Sequence, residues 1–96
     1  MNKNVKVFLR WTPEYEGGRK TIFPPGMRYC PVIASEGIPS DHTLWSVSVI
    51  NDSVDGRKAI ATMSFLSPEA PHELLRSGLV FDLYDGPKIV ANGTVQ

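Results

Sequence analysis

Apolar and polar residues alternate with a period of two through most of this chain, as they do in strands with one buried face. In Val5-Lys6-Val7-Phe8-Leu9-Arg10-Trp11 the odd positions are apolar and the even ones, Phe8 aside, are cationic, which predicts a half-buried strand over 5–11. Residues 12–26 then carry Pro13, Gly17, Gly18, Pro24, Pro25 and Gly26, a density that predicts a long loop. Loops of that length in small domains usually carry function. A second strand is expected from Met27 to Ala34, with Pro31 making it an edge or placing a bulge in it. After a loop over 35–41, a third strand runs from His42 to Asn51, with Trp45, Val47 and Val49 facing one way and Ser46 and Ser48 the other.

Asp52 to Gly56 predicts a turn, and a fourth strand follows from Lys58 to Leu66, with Ile60, Met63, Phe65 and Leu66 as its apolar bulk. Ser67-Pro68 has the pattern of a helix start. A second proline, Pro71, limits it to short helical or 3-10 turns near 69–76, ended by Gly78. A fifth strand is expected from Leu79 to Tyr84, a hairpin at Asp85-Gly86, and a sixth strand from Lys88 to Val95 with Ile89, Ala91, Gly93 and Val95 on one face. Gly93 within that strand points to a close backbone approach or a bend. Six short strands joined by Gly/Pro-rich connections predict one all-β domain over 1–96, an antiparallel barrel or sandwich. Closure into a barrel would remove the open edges.

Composition narrows the function classes. The 96 residues carry ten basic and ten acidic side chains, so no overall basic field draws nucleic acid. The charge is unevenly spread: residues 1–30 hold six cations against two anions, and residues 31–56 hold only Glu36, Asp41, Asp52 and Asp55. A local basic face is therefore open to the first third of the chain. One cysteine and no apolar leader core give the expectation of a reduced, cytoplasmic protein with no membrane span.

Candidate chemistry is sparse. Cys30, His42, His72 and Asp41 supply the types needed for thiol or hydrolytic catalysis, but no spacing links them, and a small buried thiol is the expectation for Cys30. Two histidines and one cysteine lack zinc spacing, and Asp52 with Asp55 lacks the further ligands of a calcium loop, so neither metal nor cofactor is expected. The loop 16–28 is the most informative stretch. Gly17-Gly18 can offer backbone N–H groups, Arg19, Lys20 and Arg28 can meet phosphates, and Tyr15, Phe23 and Tyr29 can stack. Alternatively, its glycines make a turn and its cations pair with Glu14 or Glu16.

Three segments resemble a known family. Val5-Lys6-Val7-Phe8-Leu9, then Glu16-Gly17-Gly18-Arg19-Lys20-Thr21-Ile22-Phe23 and Gly26-Met27-Arg28, are similar to the opening of the third, C-terminal domain of translation elongation factor Tu. Phe65 to Ala70 resembles that domain's strand ending in a Pro-containing turn, and Gly78 to Val95 resembles its closing hairpin. Residues 34–58 match poorly. The resemblance implies a six-stranded antiparallel barrel with Greek-key-type connections. Nothing here matches a Gly-x-x-x-x-Gly-Lys-Ser/Thr loop, so the resemblance implies the barrel without its GTPase.

By motif position, Arg19 and Thr21 fall on the loop that in the family approaches the tRNA backbone, and Gly86 with Lys88 on the neighbouring turn. Lys20 stands where the family usually has His, and Arg28-Tyr29-Cys30 replaces an Arg-Pro-Gln triplet, removing the Gln that could bond RNA. The expectation is a non-enzymatic module that binds a protein partner through loops 16–28 and 35–41, with Gly17, Gly18, Arg19, Lys20, Thr21, Arg28, Gly86 and Lys88 as candidate contacts. RNA binding through the Gly-Gly-Arg loop is the alternative, and a small thiol or hydrolytic enzyme the third.

Overall fold

The computed structural model describes residues 4–18, 23–36 and 44–96. Its strands are β1 (Val5–Trp11), β2 (Arg28–Tyr29), β3 (Val32–Ala34), β4 (Trp45–Asp55), β5 (Lys58–Phe65), β6 (Val80–Asp85) and β7 (Lys88–Val95). Strands β2 and β3 share one register against β4: Arg28 pairs with Ile50, Tyr29 with Val49, Val32 with Ser46 and Ile33 with Trp45. They form a single stave interrupted at Cys30-Pro31, where the Pro31 carbonyl still accepts the Val47 amide at 2.9 Å. The proline, having no N–H, breaks the ladder without shifting it.

Counted as staves, the molecule is a closed six-stranded antiparallel barrel. Around the ring, the β2/β3 stave is followed by β4, β5, β1, β7 and β6, and β6 closes back on β3. Strand β1 lies between β5 and β7, opposite the β2/β3 stave. The three strands before β6 that are joined in sequence have β1 returned beside β5, a Greek-key arrangement.

The core is filled by the inward phase of each strand: Val7, Leu9 and Trp11, then Val47 and Val49, then Ala59, Ala61, Met63 and Phe65, with Phe81, Leu83 and Val95. At Gly93 an added Cβ would strike the Phe8 carbonyl and the Leu9 and Phe81 side chains. The glycine therefore marks a close approach of β7 to β1, as expected.

Several expectations are corrected. Strand β4 continues to Asp55 instead of ending at Asn51. Its register jumps from Asn51–Ala61 to Ser53–Ile60, so Asp52 is a bulged extra residue rather than part of a turn. The turn is Gly56-Arg57. The described part of this strand begins at Trp45; His42 and the neighbouring Asp41 lie outside the described residues. On β5 the inward phase is 59, 61, 63 and 65, which turns Ile60 outward, and Leu66 lies beyond the strand's end and is exposed. On β7 a second bulge sets Tyr84 against Ile89 and Leu83 against Ala91, so Val90 turns inward and Ile89 outward. Cys30 is exposed, because Tyr29, Pro31 and Ile33 occupy the inward phase of its stave.

Helical structure near 69–76 is a single 3-10 turn, His72–Leu74. It brings Leu75 and Ala70 into one end of the barrel, where the His72 ring stands edge-on to Phe65 at 5.5 Å. The opposite end is closed by Trp11, Phe23 and Tyr29, with ring centroids 4.5 to 6.1 Å apart.

Candidate functional site

The loop after β1 is organised by its own backbone. A 3-10 turn over Glu14–Glu16 ends at Gly17, whose φ of 96° favours glycine. The Gly17 amide donates to the Glu14 carbonyl at 3.0 Å, and the Gly18 amide to the Pro13 carbonyl at 2.9 Å. Both glycine N–H groups are thus engaged within the turn. The expectation that they stand open to an anion is overturned by these bonds. Gly18 has a different use: a Cβ there would collide with the Thr12 backbone.

Two tight hairpins flank the end of β1. Gly56 (φ 62°) and Gly86 (φ 60°) each occupy the first central position of a two-residue turn, and Arg57 and Pro87 follow with negative φ. That is the type II′ pattern, which matches the strand twist. Trp11 N–H donates to the Arg57 carbonyl at 2.7 Å and Thr12 N–H to the Val90 carbonyl at 2.9 Å, so β1 is pinned to both hairpins.

Between β1, its turn and the β6–β7 hairpin lies an open groove of about 430 Å³. Arg10, Thr12, Glu16, Gly17, Lys88 and Asn92 line it, together with Pro87 and Ile89. Arg10 pairs across the strands with Asn92, and its guanidinium donates to Glu16 at 3.0 Å with both side chains about half exposed. Lys88 is exposed, and Tyr15 projects from the turn with 87% of its surface accessible. The groove offers charges of both signs beside apolar surface.

The candidate residues separate. Gly17 and Lys88, far apart in sequence, line one groove, and Gly86 heads the hairpin that forms its wall. Gly18 packs behind the turn. Arg28 is exposed on β2, in the stave opposite β1, and does not line the groove. Arg19, Lys20 and Thr21 lie outside the described residues. Loop 35–41 is described only at Ser35 and Glu36. The Ser35 hydroxyl donates to the Val80 carbonyl there, so this loop starts at the opposite end of the barrel from Gly17.

Asn51, read in the sequence only as a strand end, anchors the aromatic lid at the same end of the barrel. Although polar and 1% exposed, it sits in the inward phase of β4. Its Nδ2 donates to the Phe23 carbonyl at 2.8 Å, and its backbone carbonyl accepts the Gly26 amide at 2.9 Å. It ties the aromatic lid to the barrel wall. A polar residue in phase with Val47 and Val49 was the available signal. Arg10, Glu16 and Asn92 were also missed as a group, because only the β1–β7 register assembles them.

For acid–base or thiol chemistry, His72 and Cys30 are placed apart. His72 lies on the plug, with Nε2 2.9 Å from the Ser67 carbonyl, and Cys30 lies on the outer wall. Among the described residues no group of three His, Cys, Asp or Glu side chains is placed to hold a metal ion, and no helix is long and apolar enough to cross a membrane. No protein-family model matches the chain, and neither a curated protein nor a solved structure matches it, which leaves the three quoted segments as the grounds for the elongation-factor resemblance.

Proposed function

We propose that this chain is a non-enzymatic interaction module that docks a protein partner at the barrel end bearing the Glu14–Gly18 turn and the Asp85–Lys88 hairpin. Loop 35–41 makes a separate contact at the other end. The observation that carries the proposal is the groove itself, where Gly17 and Lys88 meet beside the Arg10–Glu16 pair. Paired charges of both signs next to the exposed Tyr15 and Ile89 suit a protein surface, where aromatic and apolar anchors bind within a polar rim. A phosphate backbone would meet Glu16, and the Gly17 and Gly18 amides are already engaged within the turn. The resemblance to the third domain of elongation factor Tu supports the same role, since such barrels act by presenting loops to other domains.

The test is a photo-cross-linking residue at Tyr15 in cells that make the protein, with the same residue at Glu73, on the other end, as control. A discrete protein adduct at position 15 only, lost when Arg10→Glu and Lys88→Glu are combined, supports the role. Adducts to RNA instead, with affinity for aminoacylated tRNA falling about 0.9 log units per log unit of salt for each phosphate neutralised, would establish the RNA alternative. No adduct at either position overturns the proposal.

A further inference from the structure

The seam that closes the barrel stops short at one end. Strand β3 ends at Ala34, which pairs with Asp82, while β6 begins two residues earlier, at Val80. Over Val80 and Phe81, β6 is therefore laddered on its β7 side only, among the described residues. The Ser35 hydroxyl donates to the Val80 carbonyl, where a ladder amide would otherwise stand. The gap opens as a hollow of about 530 Å³ between residues 34–36 and 78–82. Ala34, Leu79 and Val80 give it an apolar lining, and Val80 is 66% exposed.

The charges in that lining are of one sign. Glu36 is exposed and Asp82 half-buried; among the described residues no cation lines the hollow, and neither carboxylate has an ion pair. The ladder leaves Asp82 uncompensated. Its cross-strand neighbours are Ala34 and Asn92, and the next residues on its own face of β6 are Val80 and Tyr84. Lys6 and Arg10, the cations two strands away on β1, are held by Asp52 and Glu16. Arg76, exposed two residues before Gly78, does not line the hollow. Two uncompensated carboxylates in one concavity attract a cation and repel phosphate, whether of nucleic acid or of a lipid surface. An arginine side chain answers both parts of the lining. Its planar guanidinium carries enough donors to serve two carboxylates, and its aliphatic stem covers apolar surface.

We infer that the hollow at the β3–β6 seam docks a partner-protein segment through an arginine side chain flanked by apolar residues. The guanidinium meets Asp82 and Glu36, and the apolar flanks lie on Leu79 and Val80. The inference rests on the reading of loop 35–41 as a protein contact and gives that contact its chemistry. The groove at Gly17 and Lys88 has no part in it.

The probe is a fluorescent heptapeptide, Ser-Gly-Leu-Arg-Val-Gly-Ser, compared with counterparts bearing citrulline or Glu in place of Arg. Citrulline keeps the shape and loses the charge. The full chain is titrated with each, and its amide chemical shifts are followed. The Arg peptide is expected to bind and to perturb the amides of Glu36, Leu79, Val80 and Asp82. Asp82→Asn should weaken it about fivefold or more and Glu36→Gln about threefold, while Val80→Lys should weaken it about tenfold by placing a like charge in the hollow. Amide spectra that match wild type away from the substituted residue confirm that the variants fold. Equal binding of the Arg and citrulline peptides overturns the inference, as do shifts confined to other faces. So does Asp82-dependent binding of spermine or of calcium without peptide binding, or a dimer in sedimentation that Asp82→Asn dissolves. Cross-linking from Tyr15 is the separate readout: if its adduct persists while the peptide fails, this inference falls and the groove reading stands.

Discussion

The two ends of this barrel are sealed by different means. One end is plugged by the chain's own apolar residues: Leu75 and Ala70 are buried, and His72 leans on Phe65 through a single 3-10 turn. The other end is roofed by Trp11, Phe23 and Tyr29, but the roof is held by polar bonds from Asn51 and by the close fit of Gly18 over Thr12. The plug combines apolar burial with local bonds, among them the contact of His72 Nε2 with the Ser67 carbonyl at 2.9 Å. The roof uses directional bonds, which fix the shape of a loop while its outer surface stays polar and exposed. A barrel needs both ends closed, and at the roofed end the closure also shapes a charged groove.

The contrast can be broken by mutation, beginning with the plug. Leu75→Ala should destabilise the protein by about 2–5 kcal/mol, measured by urea unfolding, because it leaves a cavity in a fully buried site. Binding at the groove should survive in whatever fraction remains folded. At the roof, Gly18→Ala should cost about 1–3 kcal/mol, because the Thr12 backbone in its way has to move. This variant should also weaken cross-linking from Tyr15, which separates it from Leu75→Ala.

Asn51→Ala should cost about 1–3 kcal/mol by removing the buried side-chain amide that donates to the half-buried Phe23 carbonyl. Hydrogen exchange should then quicken at Gly26, while the Leu75 amide is unaffected. The smallest effect lies on the outer wall, at the Asp52 bulge. The Lys6 and Thr62 side chains donate to the Asp52 carboxylate and hold its pKa below the ordinary 3.8. A lowered folded-state pKa contributes stability that is present above 3.8 and lost as pH falls through the lower folded value. The group is largely solvated, so Asp52→Asn should cost no more than about 0.5 kcal/mol at neutral pH. The difference from wild type should vanish in thermal melts at acid pH.

Much of the barrel was legible because period-two alternation reports directly which face is buried. Val5–Trp11 came out with the predicted bounds, and the ladder of the second stave is interrupted at Pro31, but the register runs through without the expected bulge and β3 is paired on both sides instead of lying at an edge. The failures fall where the alternation slips. Bulges at Asp52 and Val90 shift the phase by one residue, and they depend on the partner strand, which a local pattern does not contain. Ile89 was assigned to the core for that reason. The same limit hid the groove. Gly17 was picked out as a loop glycine and Lys88 by resemblance, but Arg10, Glu16 and Asn92 become neighbours only through the β1–β7 ladder. Cys30 was misplaced because its apolar character outweighed its outward phase.

The ring order also bears on how the protein is made. Val5 finds its partner at Met63, and Val7 finds one at Val95. During synthesis β1 therefore has neither of its barrel neighbours until much later, and its second side is covered only when β7 has been translated. Pairings this distant in sequence make folding slow. Until then Val7, Leu9 and Trp11 face solvent on the nascent chain, next to the cations of the same strand, whose charge discourages that segment from aggregating while it waits.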